Sequence, residues 1–319
     1  MMKMRTLGYT GEQLTTVGLG TWAHGGGDWG FGWGAQDDAE SVRAIRAALD
    51  TGMNWVDTAA VYGLGHAEEV LGRALKELPE KPFVATKCSL LWDDETRKTR
   101  SSLRADSVRA ECEASLQRLG LEVIDLYQIH WPKPDEEIEE GWGAVADLIR
   151  EGKVRYGGVS NFSVDQMKRV QSIHPIASLQ PPYSMLERGV ESELLPWCAE
   201  NEVGVIVYSP LQKGLLTGKI DRAYVEAMDD RDHRKARDPM FQELALTDIL
   251  KKVDRLRPIA AALDINLTQL AIAWVLRRSE VTAAIVGARR PDQVEGVAPA
   301  SDVTLSEQTV TEIESILAG

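Results

Sequence analysis

The chain has 319 residues, 44% of them hydrophobic, which is enough for a sizeable core and argues against disorder. Its 36 basic and 49 acidic residues give a net charge of −13, which disfavours nucleic acid or an anionic membrane as the main partner. Three separated cysteines, no CxxC pair, no apolar leader at residues 1–10 and no run of about 20 apolar residues exclude a disulfide framework, a zinc ribbon and a membrane span, and predict a soluble cytoplasmic protein.

The first elements predicted are a small hairpin around Gly8-Tyr9-Thr10-Gly11 and a short strand over Val17-Gly18-Leu19-Gly20-Thr21-Trp22. The following loop, Gly25 to Gly34, holds six glycines and two tryptophans. Asp37 or Asp38 can cap a helix carrying Val42, Ile45 and Leu49, with Gly52 as its stop. The strand Asn54 to Asp57 comes next. The unit then repeats: helix 67–77 before strand 82–87, helix 102–119 before 124–130, helix 142–151 before 155–161. Ser163-Val164-Asp165-Gln166 reads as a capping box opening a further helix, followed by a strand at 176–180. Helix 193–200 precedes strand 204–210, and after a charged insertion helix 267–277 precedes the last strand, 283–287.

Eight apolar strands alternating with helices, with no linker between them, predict one (β/α)8 TIM barrel over residues 1–319 with an N-terminal β-hairpin. Asp57, Lys87, His130, Ser160, Asn161, Gln180 and Tyr208 fall at the C-terminal tips of the strands, where a barrel keeps its active site. An open doubly wound sheet would gather such residues at one crossover instead. Gly25 to Gly30 matches GxGxxG literally, but bulky residues and no immediate helix follow, so a loop lining a substrate pocket is preferred to a phosphate cradle.

Asp57, Tyr62, Lys87 and His130 are the strongest constellation. Each alone has a plain structural reading as a cap, a packed ring, a solvated lysine or a core imidazole. Together they suit protonation of a carbonyl oxygen: an ammonium lowers the phenol's pKa, a carboxylate holds the ammonium, and a neutral imidazole hydrogen-bonds the oxygen. No paired spacing joins His24, His66, His174 or His233 into a metal site, so none is expected.

These motifs, with Gly20-Thr21-Trp22, Asn54 to Gly63, Ala85-Thr86-Lys87, Asp125 to His130, Gly158 to Phe162, Gln180-Pro181-Pro182-Tyr183, Tyr208-Ser209-Pro210-Leu211 and Gly287-Ala288-Arg289-Arg290, resemble an aldo-keto reductase over nearly the whole chain. The resemblance implies NADPH-dependent, metal-free reduction of an aldehyde or ketone, with Tyr62 as acid, Lys87 tuning it, Asp57 holding Lys87 and His130 orienting the carbonyl. It implies Ser160, Asn161 and Gln180 on the nicotinamide carboxamide and Tyr208 stacked on its ring. Gly20, Thr21 and Trp22 would line the cofactor site; Ser209, Leu211 and Gly214 would follow the pyrophosphate. Gly287, Arg289 and Gln293 would surround the adenosine end, and the Arg289-Arg290 pair favours NADP over NAD. Gly296 and Val297 depart from the pattern, standing where many members have an acid and an asparagine.

Trp22, Trp29, Trp33, Trp92 and Trp131 follow successive strands and predict an aromatic wall selecting apolar or planar carbonyls. The charged insertion between Leu211 and Leu246 is expected to be mobile and to fold over bound cofactor. A cofactor-binding regulatory or redox-sensor subunit with negligible turnover is the rival from another class, and a monomer is the expected state.

Overall fold

The structure is a computed structural model that describes residues 2–27, 29–76, 78–230 and 232–318. A hairpin, β1 (Met4–Thr6) and β2 (Gln13–Thr15), precedes the barrel strands β3 (Val17–Gly20), β4 (Trp55–Asp57) and β5 (Phe83–Cys88). A second hairpin, β6 (Leu90–Trp92) and β7 (Thr99–Ser101), stands outside the barrel, which continues with β8 (Ile124–Ile129), β9 (Val154–Ser160), β10 (Ser178–Gln180), β11 (Gly204–Val207) and β12 (Val281–Gly287). Strands β3, β4, β5, β8, β9, β10, β11 and β12 pair in parallel and close on themselves. This is the predicted (β/α)8 barrel.

The helices are α1 (Asp38–Asp50), α2 (His66–Lys76), α3 (Ala105–Leu119), α4 (Ile138–Arg150), α5 (Val164–Gln171), α6 (Leu194–Glu200), α7 (Arg222–Glu226), α8 (His233–Arg237), α9 (Glu243–Ala262), α10 (Leu267–Leu276), α11 (Pro291–Val297) and α12 (Glu307–Ala318). Local chemistry starts several of them. Asp37 caps α1 by accepting from the Glu40 N–H, and Ser163 with Gln166 forms the predicted capping box at α5. The expected helix 67–77 is α2, one residue earlier at its start; its expected last residue, Glu77, lies outside the described residues. The β6–β7 hairpin, the short α7 and α8, the twenty-residue α9 and α12 had no counterpart in the sequence reading. Pro258 inside α9 masks that helix to a propensity argument.

Parity along the strands sorts the barrel interior into layers. Trp55, Phe83, Leu126, Ala177, Ile206, Ala283 and Ile285 form the lower layer, closed from beneath by Leu7 and Leu14 of the N-terminal hairpin. Trp55 fills the space beside Gly18, where an added Cβ would lie 2.0 Å from the indole, and its Nε1 donates to the Thr15 carbonyl at 2.9 Å. Further toward the C-terminal strand ends come Asp57, two residues after Trp55, Gln128, two after Leu126, Lys87, four after Phe83, and Gln180 at the end of β10, all buried. A larger apolar shell between strands and helices carries the remaining core. Because burying apolar surface contributes about 25 cal/mol per Å2, these two layers dominate the stability that supports the polar one above.

Candidate active site

The polar layer converges on one lysine. Lys87 Nζ lies 2.5 Å from Asp57 Oδ1, 2.8 Å from the Thr58 carbonyl and 3.2 Å from the Tyr62 hydroxyl. An ammonium has three donors and no acceptor, so all three are assigned, and the phenol oxygen accepts from Lys87. The phenol's own proton is thereby left to face elsewhere. The Tyr62 and His130 rings meet edge to face with centroids 5.8 Å apart. Asp57, Tyr62, Lys87 and His130 come from β4, the following loop, β5 and the end of β8, and each is at most 8% exposed.

Burial sets the charge states. It drives the His130 imidazole well below its usual 6.5, with the Lys87 charge adding to the effect, so the ring is neutral. Burial also lowers Lys87 from 10.5, against the opposing pull of Asp57. For Tyr62 the sequence expectation is overturned. Burial first, then the charge of Asp57 and the neighbouring Tyr208, hold its phenol well above 10.0. The Asp57 carboxylate offsets the Lys87 ammonium that was expected to acidify it. Tyr62 is a firmly protonated phenol.

Around this group the rim residues are closely linked. Gly20 pairs with both Asp57 and Gly287 across the strand ends, and Thr21 donates to the Asp57 carbonyl through its N–H (3.0 Å) and its hydroxyl (3.1 Å). Ser160 donates to the Gln180 carbonyl at 2.8 Å; Asn161, at φ +62°, donates to the His130 carbonyl at 3.0 Å and accepts from the Tyr208 hydroxyl at 2.9 Å. Gln180 sits deeper, with Nε2 at 2.9 Å from Asp57 Oδ2. After β11 the chain turns through Ser209, Gln212, Lys213 and Gly214, all at positive φ, with Leu211 half-buried among them. At the β12 end, Arg289 donates through Nε to Gln36 at 2.6 Å, and its N–H is received by Gln293 at 2.7 Å. Arg290 pairs instead with Asp292 at 2.9 Å. Amide and hydroxyl groups beside a half-buried tyrosine at one end of this rim, and the Lys213 and Arg289 cations at the other, suit a nicotinamide dinucleotide.

The expected tryptophan wall is only partly assembled. Trp22 lies 5.0 Å from the Tyr62 ring, Trp29 6.2 Å from it, and Trp33 6.4 Å from Trp22, with Phe31 completing the group. Trp131 is 37% exposed beside Lys133. Trp92 stands apart: its hairpin places it over Arg118 at 5.8 Å, on the edge of a separate cavity of about 600 Å3. The glycine loop opens no helix; Gly25 packs on Gly63, where an added Cβ would come 2.5 Å from the Gly63 nitrogen, while Asp28 of the GxGxxG match lies outside the described residues. The insertion expected to be mobile is folded in this structure into α7, α8 and short turns. Arg234 is held by Asp232 at 2.7 Å and stacks 4.8 Å from Trp33, and His233 meets Phe31 at 5.4 Å. Arg231 within it lies outside the described residues.

Sequence reasoning passed over Gln128 and Glu68, and weighed His24 only as a metal ligand. Strand parity could have found Gln128, which shares a face with His130. Glu68 receives Thr86 at 2.5 Å and Arg118 at 2.7 Å, bracing the outer face of β5. Buried His24 bonds the Ala288 carbonyl at 2.8 Å and has no sequence signature. Among the described residues, no group of three or more His, Cys, Asp or Glu side chains is placed to hold a metal, and no single helix is long and apolar enough to cross a membrane.

Residues 16–318 match the family model described as Aldo/keto reductase family. The chain belongs to that family. This aldo/keto reductase is 38% identical to Aldo-keto reductase YhdN of Bacillus subtilis (strain 168), over 99% of this chain and 94% of that one. It is 35% identical to the NADH-specific methylglyoxal reductase of Escherichia coli (strain K12), over 97% of each chain. Among solved structures it resembles the glycerol dehydrogenase AKR11B4 from Gluconobacter oxydans, with a TM-score of 0.89 and 40% identity over 99% of this chain and 94% of that one. The chain is thus an oxidoreductase-family barrel built for carbonyl chemistry with a nicotinamide cofactor.

Proposed function

We propose that this reductase converts an aldehyde or ketone to the alcohol, with NADPH supplying the hydride and Tyr62 the proton. One observation carries the reading: Lys87 directs its three donors to Asp57, Thr58 and Tyr62, which leaves the Tyr62 proton free for a substrate oxygen. The bound cofactor would contribute the hydride. The protein's own residues do the rest. Neutral His130, edge-on to Tyr62, donates a second hydrogen bond to the carbonyl oxygen and fixes its approach. As negative charge develops on that oxygen, the proton passes from Tyr62, and the nearby Lys87 ammonium stabilises the phenolate left behind. Trp22 and Trp29 cover the Tyr62 ring and keep water from the reacting oxygen.

Ser160, Asn161 and Gln180 would take the carboxamide, Tyr208 the ring face, the 209–214 turn the pyrophosphate, and Arg289, anchored by Gln36, the 2′-phosphate. Trp131, which follows His130 and is 37% exposed, and Trp33 would meet the substrate's remainder. NADH is the second reading, favoured by the name of the Escherichia coli relative. The test is loss of dinucleotide absorbance with a panel of aromatic and aliphatic aldehydes and ketones, run with NADPH and NADH on wild type and Tyr62→Phe. Turnover that falls about 10²–10⁴-fold in Tyr62→Phe, with dinucleotide binding retained, supports the role. Equal rates in both proteins would remove it, and binding without turnover would favour the regulatory-subunit rival.

A further inference from the structure

Asp57 offers two oxygens, and Lys87 takes only one. The other, Oδ2, receives two amides: Gln128 Nε2 at 3.3 Å and Gln180 Nε2 at 2.9 Å. Gln180 Nε2 also donates to Gln128 Oε1 at 3.1 Å, which closes a ring of three side chains. A carboxylate only accepts, so it fixes the orientation of both amides. Each must turn its NH2 toward Asp57. Gln180 Oε1 therefore faces away from the ring, with no hydrogen-bond partner among the described residues. The barrel makes room for this arrangement. Gln128 is register partner to Lys87 on one side and to Gly158 on the other, and an added Cβ at Gly158 would lie 3.0 Å from the Gln128 side chain. Gln128 itself is fully buried.

From this geometry we infer that Gln128 is a positioning residue for the reaction proposed above, linking cofactor recognition to the catalytic charge pair. It holds Gln180 so that Oε1 is presented as an acceptor to a primary amide, the chemistry of a nicotinamide carboxamide. With the same side chain it fixes Asp57 Oδ2, so that Oδ1 stays on Lys87. The inference rests on the reductase reading but concerns a residue that touches neither substrate nor cofactor. Methionine at this position keeps the volume and removes both hydrogen bonds. Glutamate keeps the shape but becomes a donor to Asp57 only while protonated; ionised, it sets two carboxylates against each other. The charged or titratable groups facing the ring are Asp57 from β4, Lys87 from β5, Tyr62 and His130, with Glu68 and Tyr208 one layer out. From β9 and β10 come Gly158, Ser160, Ser178 and Gln180, none of which titrates in water's accessible range.

The experiment compares wild type, Gln128→Met and Gln128→Glu in NADPH- and NADH-dependent turnover across pH, with dinucleotide affinity read separately from tryptophan fluorescence. Far-UV circular dichroism checks the fold of each variant. The expected result is a loss of dinucleotide affinity of about 10- to 100-fold in Gln128→Met, at every pH, with kcat also reduced. Gln128→Glu should be as poor at high pH and recover toward wild type as pH falls, because the protonated acid restores the donor to Asp57. Parallel pH profiles in the two variants, or wild-type affinity in Gln128→Met, would overturn the inference. A variant that does not fold at high pH but folds and binds on acidification supports it. If wild type binds dinucleotide but reduces no carbonyl, the functional reading fails by itself, and the affinity arm still decides the role of Gln128.

Discussion

Lys87 Nζ sits 3.2 Å from the Tyr62 hydroxyl and 5.0 Å from the centre of its ring, so the ammonium is held beside the phenol, where it would stabilise a phenolate in the reaction proposed. The pair is sealed from solvent by the same layer that buries Asp57.

Breaking that charge pair on one side should cost more than removing it whole. Asp57→Asn and Lys87→Met each leave one buried partner uncompensated, and each is expected to destabilise by about 3–5 kcal/mol. The double variant should recover most of that loss while remaining inactive. Urea unfolding of the three proteins, with turnover measured alongside, checks the coupling; additive losses would show the pair to be independent.

The rate should be flat through neutral pH. His130, held well below 6.5, is already neutral there, and Tyr62, held well above 10.0, still carries its proton. Activity is therefore expected to decline first on the alkaline side, where Lys87, lowered from 10.5, begins to lose its charge. A limb near the ordinary histidine value in kcat/KM would contradict the neutral assignment of His130.

Glu111 predicts a stability change with a definite sign. Burial pushes its carboxyl from 4.5 up to about 7, against donors from Ser107 and the Ser89 N–H. An acid with a raised folded pKa contributes its stability in full below 4.5, and loses it as pH rises toward 7 and the buried group must ionise. The side-chain amide introduced by Glu111→Gln would still accept from the Ser89 N–H without ionising. The variant should melt above wild type on the alkaline side, by up to about 3 kcal/mol in stability, with the gap closing on acidification. Thermal melts at several pH values read this directly.

Dinucleotide preference should depend on how Arg289 is held. Its guanidinium is fixed by Gln36, while Arg290 is engaged with Asp292. Arg289→Met is expected to raise the KM for NADPH about 10- to 100-fold and to leave that for NADH within a few-fold, since a 2′-phosphate makes a charge-assisted bond that a hydroxyl cannot. Arg290→Met should change neither much. Equal shifts for both dinucleotides in Arg289→Met would show that Arg289 does not read the 2′-phosphate.

The barrel, and the meeting of Asp57, Tyr62, Lys87 and His130 at one end of it, were legible from short patterns along the chain. Apolar runs of strand length recur along the chain, and most carry a polar residue at or near the C-terminal tip. The reading failed where placement depends on three-dimensional competition. Trp92 and Trp22 follow strands in similar contexts, yet a hairpin carries Trp92 to Arg118 while Trp22 reaches Tyr62. The pKa direction of Tyr62 was misjudged because sequence reveals the Lys87 charge but neither the depth of burial nor how closely Asp57 offsets it. Gln128 was visible inside a quoted motif and overlooked because an uncharged amide on a strand looks inert until its neighbour is a buried carboxylate. Helix α9 was lost among charged residues whose apolar face, Leu246, Ile249, Val253 and Leu256, is clear only after the insertion before it is delimited.

The N-terminal hairpin has a kinetic consequence. Leu7 and Leu14 plug the lower end of the barrel against Trp55, so the interior is a cup with a single rim. Two reactants sharing one doorway cannot arrive and depart independently. In the reaction proposed, the reactant nearer the base would be loaded first and released last, an order set by the floor as much as by the loops above.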